Sequence, residues 1–193
     1  MSKQVSTALS DLVLALSAVW GFRMLHETRR HDYQFGKWWF MLETLAASLG
    51  VVKFGGLLPN YHASVVRYHK NFSWLCRAIG IPCLAAELCR LNDFGMVAQG
   101  FLFSAVATFI TSSVKSAQKE RVTLLVNALS IIAILVLGVI SSSVNLLAAG
   151  VLFVLSAIVG DEGHVKALNM PRVDVLHYIL VAVNYFIVWG MKE

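Results

Sequence analysis

Residues 122–160 read VTLLVNALSIIAILVLGVISSSVNLLAAGVLFVLSAIVG. They form two continuous apolar runs, Val122 to Ser141 and Ser143 to Gly160, on either side of Ser142. A bilayer core about 30 Å thick needs about 20 helical residues to cross it. Since each run approaches that length, the stretch predicts two antiparallel membrane helices joined by a very tight turn.

Five more stretches of the chain have a similar length and apolar character. They are Val5 to Leu25, Lys37 to Phe54, Phe72 to Leu91, Gly95 to Val114 and Val173 to Gly190. The stretch from Phe72 contains Pro82, which predicts a kinked span of the kind that neighbouring helices tolerate. The sequence therefore predicts an all-α integral membrane bundle of seven transmembrane helices, with residues 1–193 in a single domain.

The composition agrees with a membrane protein. The 193 residues are 58% hydrophobic and 14% charged, whereas a soluble domain has about 45–50% apolar and about 25% charged residues. A membrane β-barrel would need apolar and polar residues in alternation, and the runs here are continuous. The net charge of +5 indicates loops that face anionic lipid headgroups. No nucleic-acid partner is predicted, because long blocks of Lys and Arg do not occur.

Tryptophans support the predicted ends of the spans, because indole rings prefer the membrane interface. All five lie near predicted helix ends: Trp20, Trp38, Trp39, Trp74 and Trp189. The alternative is that some of these rings fill space inside the bundle.

Basic residues favour a cytosolic N-terminus, because cytoplasmic loops are enriched in Lys and Arg. The side that holds the N-terminus has Lys3, Arg67, Lys70, Lys115, Lys119, Arg121, Lys166 and Arg172. The opposite side has Arg23, Arg29, Arg30, Lys37, Arg90 and Lys192. We expect a multi-pass protein of an endomembrane or of the plasma membrane.

Ionisable groups inside a bilayer are costly and need a partner or a function. Toward the N-terminal side, the topology predicts one buried polar cluster of Asp11, Lys53, Arg77, Asp174 and His177. Toward the opposite side, it predicts a second polar layer of Glu43, Glu87 and Arg90. Glu87 and Arg90 are three residues apart, so we expect them to pair within their own helix.

Two interpretations of the first cluster remain open. In the functional one, Asp174 and His177 share a helix face and orient a water molecule or hold a metal ion, with Asp11 as a further catalytic candidate. In the structural one, the cluster is a salt-bridge network that fixes helix packing. A zinc site usually needs three protein ligands plus water, and the spacing does not determine how His62 or His69 would approach. The prediction is therefore no metal and no cofactor.

Four segments carry a resemblance to a known family. In order along the chain they are LSDLVLAL (9–16), LETLAASLGVVKFG (42–55), SWLCRAIGIPCLAAEL (73–88) and VDVLHYILVAVNYFIVWG (173–190). Together they resemble a poorly characterised family of seven-helix membrane proteins, a domain of unknown function. That family is itself similar to the superfamily of alkaline ceramidases and adiponectin receptors.

The resemblance implies a zinc site that this chain lacks in part. In those relatives, a histidine near the end of the second helix and two histidines in the seventh hold zinc. Here Lys53 stands near the first of these positions, and His177 has no second histidine in its helix. A lysine ammonium would repel a metal cation. The resemblance therefore implies that the fold is kept while the zinc chemistry is lost, since fold does not determine function.

Three functions follow as hypotheses. The leading one is a non-catalytic accessory or anchoring subunit of a membrane complex, including one that handles lipid; its partners would be membrane lipids and other membrane-protein subunits. The second is an intramembrane lipid hydrolase that uses Asp174 and His177, assisted by Asp11 or by the loop histidines. The third is a small transporter, which Lys53 and Arg77 disfavour because they raise the electrostatic barrier to cations.

Overall fold

The computed structural model describes residues 4–28, 33–114 and 116–193. In this part of the chain the apolar runs form helices, and short polar segments connect them. The helices in this part of the chain are α1 (Val5–Glu27), α2 (Gly36–Gly55), α3 (His62–Leu75), α4 (Ile81–Leu91), α5 (Gly95–Val114), α6 (Ser116–Ile140), α7 (Val144–Val159) and α8 (Arg172–Gly190). The prediction of an all-α fold is confirmed. Lys3, Arg29, Arg30 and Lys115, which entered the charge comparison, lie outside the described residues.

Helices α3 and α4 form one continuous helical segment, because a π turn at Cys76–Gly80 joins them. Pro82 lies in the first turn of α4. It has no N–H to bond the carbonyl four residues earlier, and a π turn is a common way to accommodate such a disruption. The predicted loop from Gly55 to Asn71 is wrong in its second part, since the helix begins at His62. The first turns of α3 are amphipathic and polar, so they lack the continuous apolar sequence from which the other helices were predicted.

Four helical segments are long and apolar enough to cross a membrane: Val5–Glu27, Pro59–Leu91, Gln118–Ile140 and Arg172–Gly190. Two more, Gly95–Thr111 and Val144–Val159, are apolar but shorter. Helix α2 has 20 residues and contains Lys37, Glu43 and Lys53. The described chain therefore has the pattern of a helical membrane protein, with fewer qualifying spans than the seven predicted.

The two tight turns predicted between helices are present, one between α4 and α5 and one between α6 and α7, and both have the same backbone conformation. Asp93 and Ser142 adopt positive φ angles of 65° and 54°. In each turn the residue that follows donates its N–H five residues back, from Phe94 to Cys89 and from Ser143 to Gly138. A left-handed residue with this bond is the Schellman helix end, and it reverses the chain within three residues.

Helix α1 packs against both α2 and α8, and these three helices position most of the buried polar groups. Small residues let α1 and α2 approach closely. A Cβ on Gly21 would collide with the ring of Phe40, and a Cβ on Gly50 would collide with the carboxyl group of Asp11.

The connection between α7 and α8 contains a short hairpin. Strand β1 (His164–Val165) pairs antiparallel with β2 (Met170–Pro171). The Arg172 N–H donates to the Gly163 carbonyl at 2.9 Å, which anchors the hairpin at the start of α8. Two-residue strands leave no periodic signal, so the sequence did not predict them.

Candidate functional site

Four polar side chains meet near the N-terminal end of α1. Helix α1 supplies the adjacent residues Ser10 and Asp11, and α8 supplies Asp174 and His177, three residues apart. All four are buried: Ser10 is 0% exposed, Asp11 1%, Asp174 1% and His177 7%. We call these residues the Ser10 cluster. The predicted meeting of Asp11, Asp174 and His177 is therefore present, with Ser10 added at its centre.

The imidazole of His177 bridges the two residues of α1. Its Nδ1 lies 2.9 Å from Ser10 Oγ, and its Nε2 lies 3.5 Å from Asp11 Oδ1. The Ser10 hydroxyl also lies 3.0 Å from the carbonyl oxygen of Thr7 and 3.3 Å from Asp174 Oδ1. A serine has a single O–H proton, so these acceptors compete for it.

The Ser10 cluster has more acceptors than donors. Asp11 Oδ2 and Asp174 Oδ2 are buried without a hydrogen-bond partner. Apart from Ser10, only the imidazole of His177 brings an N–H to the cluster. Because a buried, unpaired polar atom costs free energy, the cluster attracts protons, water or a polar ligand.

A cleft of about 670 Å³ opens beside the cluster at the N-terminal end of α1. Its polar lining includes Gln4, Thr7, Lys53, His69, Asp161 and His164. Thr7 lies one helical turn before Ser10, and Val173, which also lines the cleft, precedes Asp174. The cleft therefore ends about one turn from the buried hydroxyl.

Lys53 lies at the boundary between the cleft and the cluster. Its Nζ is 3.4 Å from His69 Nδ1 and 4.2 Å from the centre of the Phe54 ring. It also interacts electrostatically with Asp11. Lys53 is thus half-buried beside the cluster, and its ammonium faces the cleft with His69.

Arg77 does not belong to the buried cluster, and that prediction is wrong. Its side chain is 52% exposed, and its guanidinium lies 3.9 Å from Glu120 on α6. Arg77 lies inside the π turn Cys76–Gly80, where the spacing of 3.6 residues per turn does not hold.

Glu43 forms a separate buried network in the middle of the bundle. Asn184 Nδ2 donates to Glu43 Oε2 at 2.6 Å and to Ser17 Oγ at 2.9 Å. Asn184 Oδ1 accepts a hydrogen bond from Trp39 Nε1 at 2.9 Å. One amide thereby joins α1, α2 and α8. Glu43 Oε1 has no partner.

Glu87 and Arg90 form the predicted pair, with Arg90 Nε donating to Glu87 Oε1 at 2.9 Å. The other carboxylate oxygen of Glu87 accepts from the N–H groups of Phe35 and Gly36 at 2.8 and 3.1 Å. Glu87 therefore caps the N-terminus of α2. Glu43 lies seven residues further along α2, roughly 10 Å away along the axis, so the predicted second layer is two separate networks.

The described residues do not fit the zinc site that the ceramidase and receptor resemblance implies. Among them, no group of three or more His, Cys, Asp or Glu side chains has the geometry of a metal site. His62 is absent from the lining of the cleft, whereas His69 lies next to the Lys53 ammonium. What the arrangement does provide is a hydroxyl 2.9 Å from one imidazole nitrogen and a carboxylate oxygen 3.5 Å from the other.

Ser10 is the residue that sequence reasoning missed. Two signals were present: it directly precedes Asp11, and it lies three residues after Thr7 on the same face of α1. A serine in an apolar helix usually bonds a carbonyl of its own helix, which made it inconspicuous.

No protein-family profile, curated protein or solved structure matches this chain. The resemblance to the seven-helix family with an unknown function stays a prediction.

Proposed function

We propose that this chain is a seven-span membrane protein, an accessory or anchoring subunit of a membrane assembly, whose cleft binds the anionic headgroup of a lipid. The cleft with Lys53 and His69 at the N-terminal end of α1 is the observation that carries the proposal.

The seven proposed spans are the four segments that qualify by length and hydropathy, together with α2, α5 and α7. Helices α2 and α5 each have 20 residues, which corresponds to about 30 Å at 1.5 Å per residue. The charged residues of α2 lower its hydropathy, but α2 packs against α1, α3 and α4, and Glu43 is buried between helices. Helix α7 has 16 residues, a length of about 24 Å that local thinning of the bilayer accommodates.

The position of the cleft suits a headgroup. It lies at the end of three helices, α1, α2 and α8, and therefore at the level of the membrane surface in this topology. The Lys53 ammonium supplies positive charge, and Thr7, His69 and His164 supply hydrogen-bonding groups. The Asp161 carboxylate also lines the cleft and interacts electrostatically with Lys53, so it offsets part of that charge. The half-buried lysine is less screened than a fully exposed one, which strengthens its attraction for a phosphate.

Two features support the accessory role: short connections between helices and exposed apolar helix faces. The connections that lie within the described residues are short, and the longest of them is the segment with the small hairpin before α8. Large apolar side chains such as Phe103 on α5 and Leu124 on α6 are exposed. These faces are available to lipid or to transmembrane helices of other subunits.

Retention of lipid through purification tests the cleft. Lys53→Gln in nanodiscs that contain phosphatidylserine and phosphatidylcholine should reduce the phosphatidylserine retained per protein by roughly threefold or more, as counted by native mass spectrometry. The matched control is Lys70→Gln, which removes the same charge from an exposed position on the same side. Equal retention in both variants would count against the cleft as a headgroup site.

Isolation from the native membrane in a mild detergent tests the accessory role. We expect a complex of fixed stoichiometry with other membrane subunits. A monodisperse population that contains this chain alone would contradict it.

A further inference from the structure

Ser10, His177 and Asp11 have the order of contacts found in nucleophilic acyl transfer. A hydroxyl contacts one nitrogen of an imidazole at 2.9 Å, and a carboxylate lies 3.5 Å from the other nitrogen. Nucleophile, base and orienting acid within hydrogen-bond reach are the geometric signature of this chemistry, and the contacts are often longer without substrate.

We infer that Ser10 is the nucleophile of an intramembrane esterase, with His177 as its base and Asp11 as the residue that positions His177. This activity goes beyond the accessory role. Its failure would leave headgroup binding and subunit assembly untouched, because those rest on Lys53 and on the outer faces of the bundle.

Asp11 determines which nitrogen of His177 can accept a proton. A carboxylate oxygen beside Nε2 favours the tautomer that carries hydrogen on Nε2. Nδ1 is then an acceptor and faces the Ser10 hydroxyl. Gly50 lets the Asp11 carboxyl pack directly on the backbone of α2, so the positioning residue is itself held in place.

The proposed step is balanced without a metal. Ser10 Oγ bonds to the carbonyl carbon of an ester while its proton passes to His177 Nδ1. The bond from that carbon to the alkoxy oxygen then breaks, and the leaving alcohol takes the proton from His177. Water next gives a proton to His177 and attacks the acyl group, which releases a carboxylic acid and returns the proton to Ser10.

The position of the cleft relative to Ser10 indicates the class of substrate. A polar headgroup near Lys53 at the mouth of the cleft would place the ester bonds beneath it about one helical turn deeper, at the level of Ser10. The class is therefore a carboxylic ester that links a polar headgroup to an acyl chain. Ser10 is fully buried in the free protein, so an ester carbonyl has to displace the contact between Ser10 and Asp174.

Covalent labelling of the full-length protein in nanodiscs tests the inference. The probe is an alkyl fluorophosphonate, which reacts with activated serines, and peptide mass spectrometry locates the adduct. We expect modification of Ser10 in the unaltered protein. His177→Gln should lower the labelling rate by roughly 100-fold or more, the usual contribution of a general base. Asp11→Asn should lower the rate while the protein keeps its fold.

The matched control is Ser17→Ala, which removes a hydroxyl from the same helix outside the cluster. It should leave the labelling rate unchanged. Hydrolysis of para-nitrophenyl octanoate should disappear in Ser10→Ala and persist in Ser17→Ala. An unmodified Ser10 in the folded, unaltered protein would overturn the inference, as would equal ester hydrolysis in Ser10→Ala.

Discussion

Asp11 packs against a residue with no side chain, and this contact holds the Ser10 cluster in place. A Cβ at position 50 would occupy the space of the Asp11 carboxyl group. Gly50→Ala should therefore lower the free energy of unfolding by about 1–3 kcal/mol, the usual cost of overpacking, and displace Asp11 from His177. Thermal unfolding in detergent measures the first effect.

Gly100→Ala is the matched control for this prediction. Gly100 also lies within a helix, and a Cβ there would have nothing within 4 Å. Since alanine is the better helix former, this variant should be as stable as the unaltered protein or slightly more so. Equal effects of the two substitutions would refute the packing of Asp11 on Gly50.

Asn184 is the second residue on which the core depends, because its amide bonds Trp39, Ser17 and Glu43. Asn184→Leu should destabilise the protein by roughly 2 kcal/mol or more, given about 0.6–2 kcal/mol for each bond between membrane helices. Trp39 is buried and bonded, so the change should also alter tryptophan fluorescence. An unchanged unfolding temperature would show that the network is dispensable.

Individual residues were predicted well where a regular helix fixes their face. Asp174 and His177 were placed correctly, as was the pairing of Glu87 with Arg90. The prediction failed for Arg77, which lies in the π turn. It also failed in part for the tryptophans, since Trp38 and Trp189 are exposed whereas Trp39 and Trp74 are buried in the bundle. Distance from a helix end does not reveal which neighbour a ring contacts.

At the scale of elements, the N-terminus of α2 depends on a side chain from another helix. Glu87 accepts from two N–H groups there and also pairs with Arg90. Glu87→Ala should lower the free energy of unfolding by about 1–3 kcal/mol, because it removes a buried acceptor from two backbone N–H groups at the start of α2. Urea or thermal unfolding in detergent gives the value.

Glu27→Ala is the surface counterpart, since Glu27 pairs with Arg23 where both side chains are exposed. An exposed pair of this kind contributes little to stability, because solvent and salt screen it. Comparable losses in Glu27→Ala and Glu87→Ala would mean that capping does not stabilise α2.

The lengths of the apolar runs predicted helix boundaries well. For α5, the predicted range and the observed range are both Gly95–Val114. The start of α3 could not be predicted in this way. Its residues from His62 are amphipathic, and an amphipathic helix at a membrane surface has the composition of a loop. The hairpin before α8 depends on tertiary contacts that local sequence does not encode.

The bundle as a whole places its polar networks at three levels between its two ends. The Ser10 cluster lies near the cleft, Glu43 and Asn184 lie in the middle, and Glu87 lies at the start of α2. All three networks use α2 or its direct neighbours. In the proposed seven-span topology, the charged residues of α2 are compatible with a membrane position because other helices surround them.

The location of the two termini relative to the membrane tests the proposed seven-span topology most directly. An odd number of crossings puts the two termini on opposite sides of the membrane, whereas the four qualifying segments alone would put them on the same side. Epitope tags on both termini, read by antibody access and protease protection in sealed membranes, distinguish the two. Seven spans predict a cytosolic N-terminal tag and a C-terminal tag on the other side, and two tags on one side would contradict this topology.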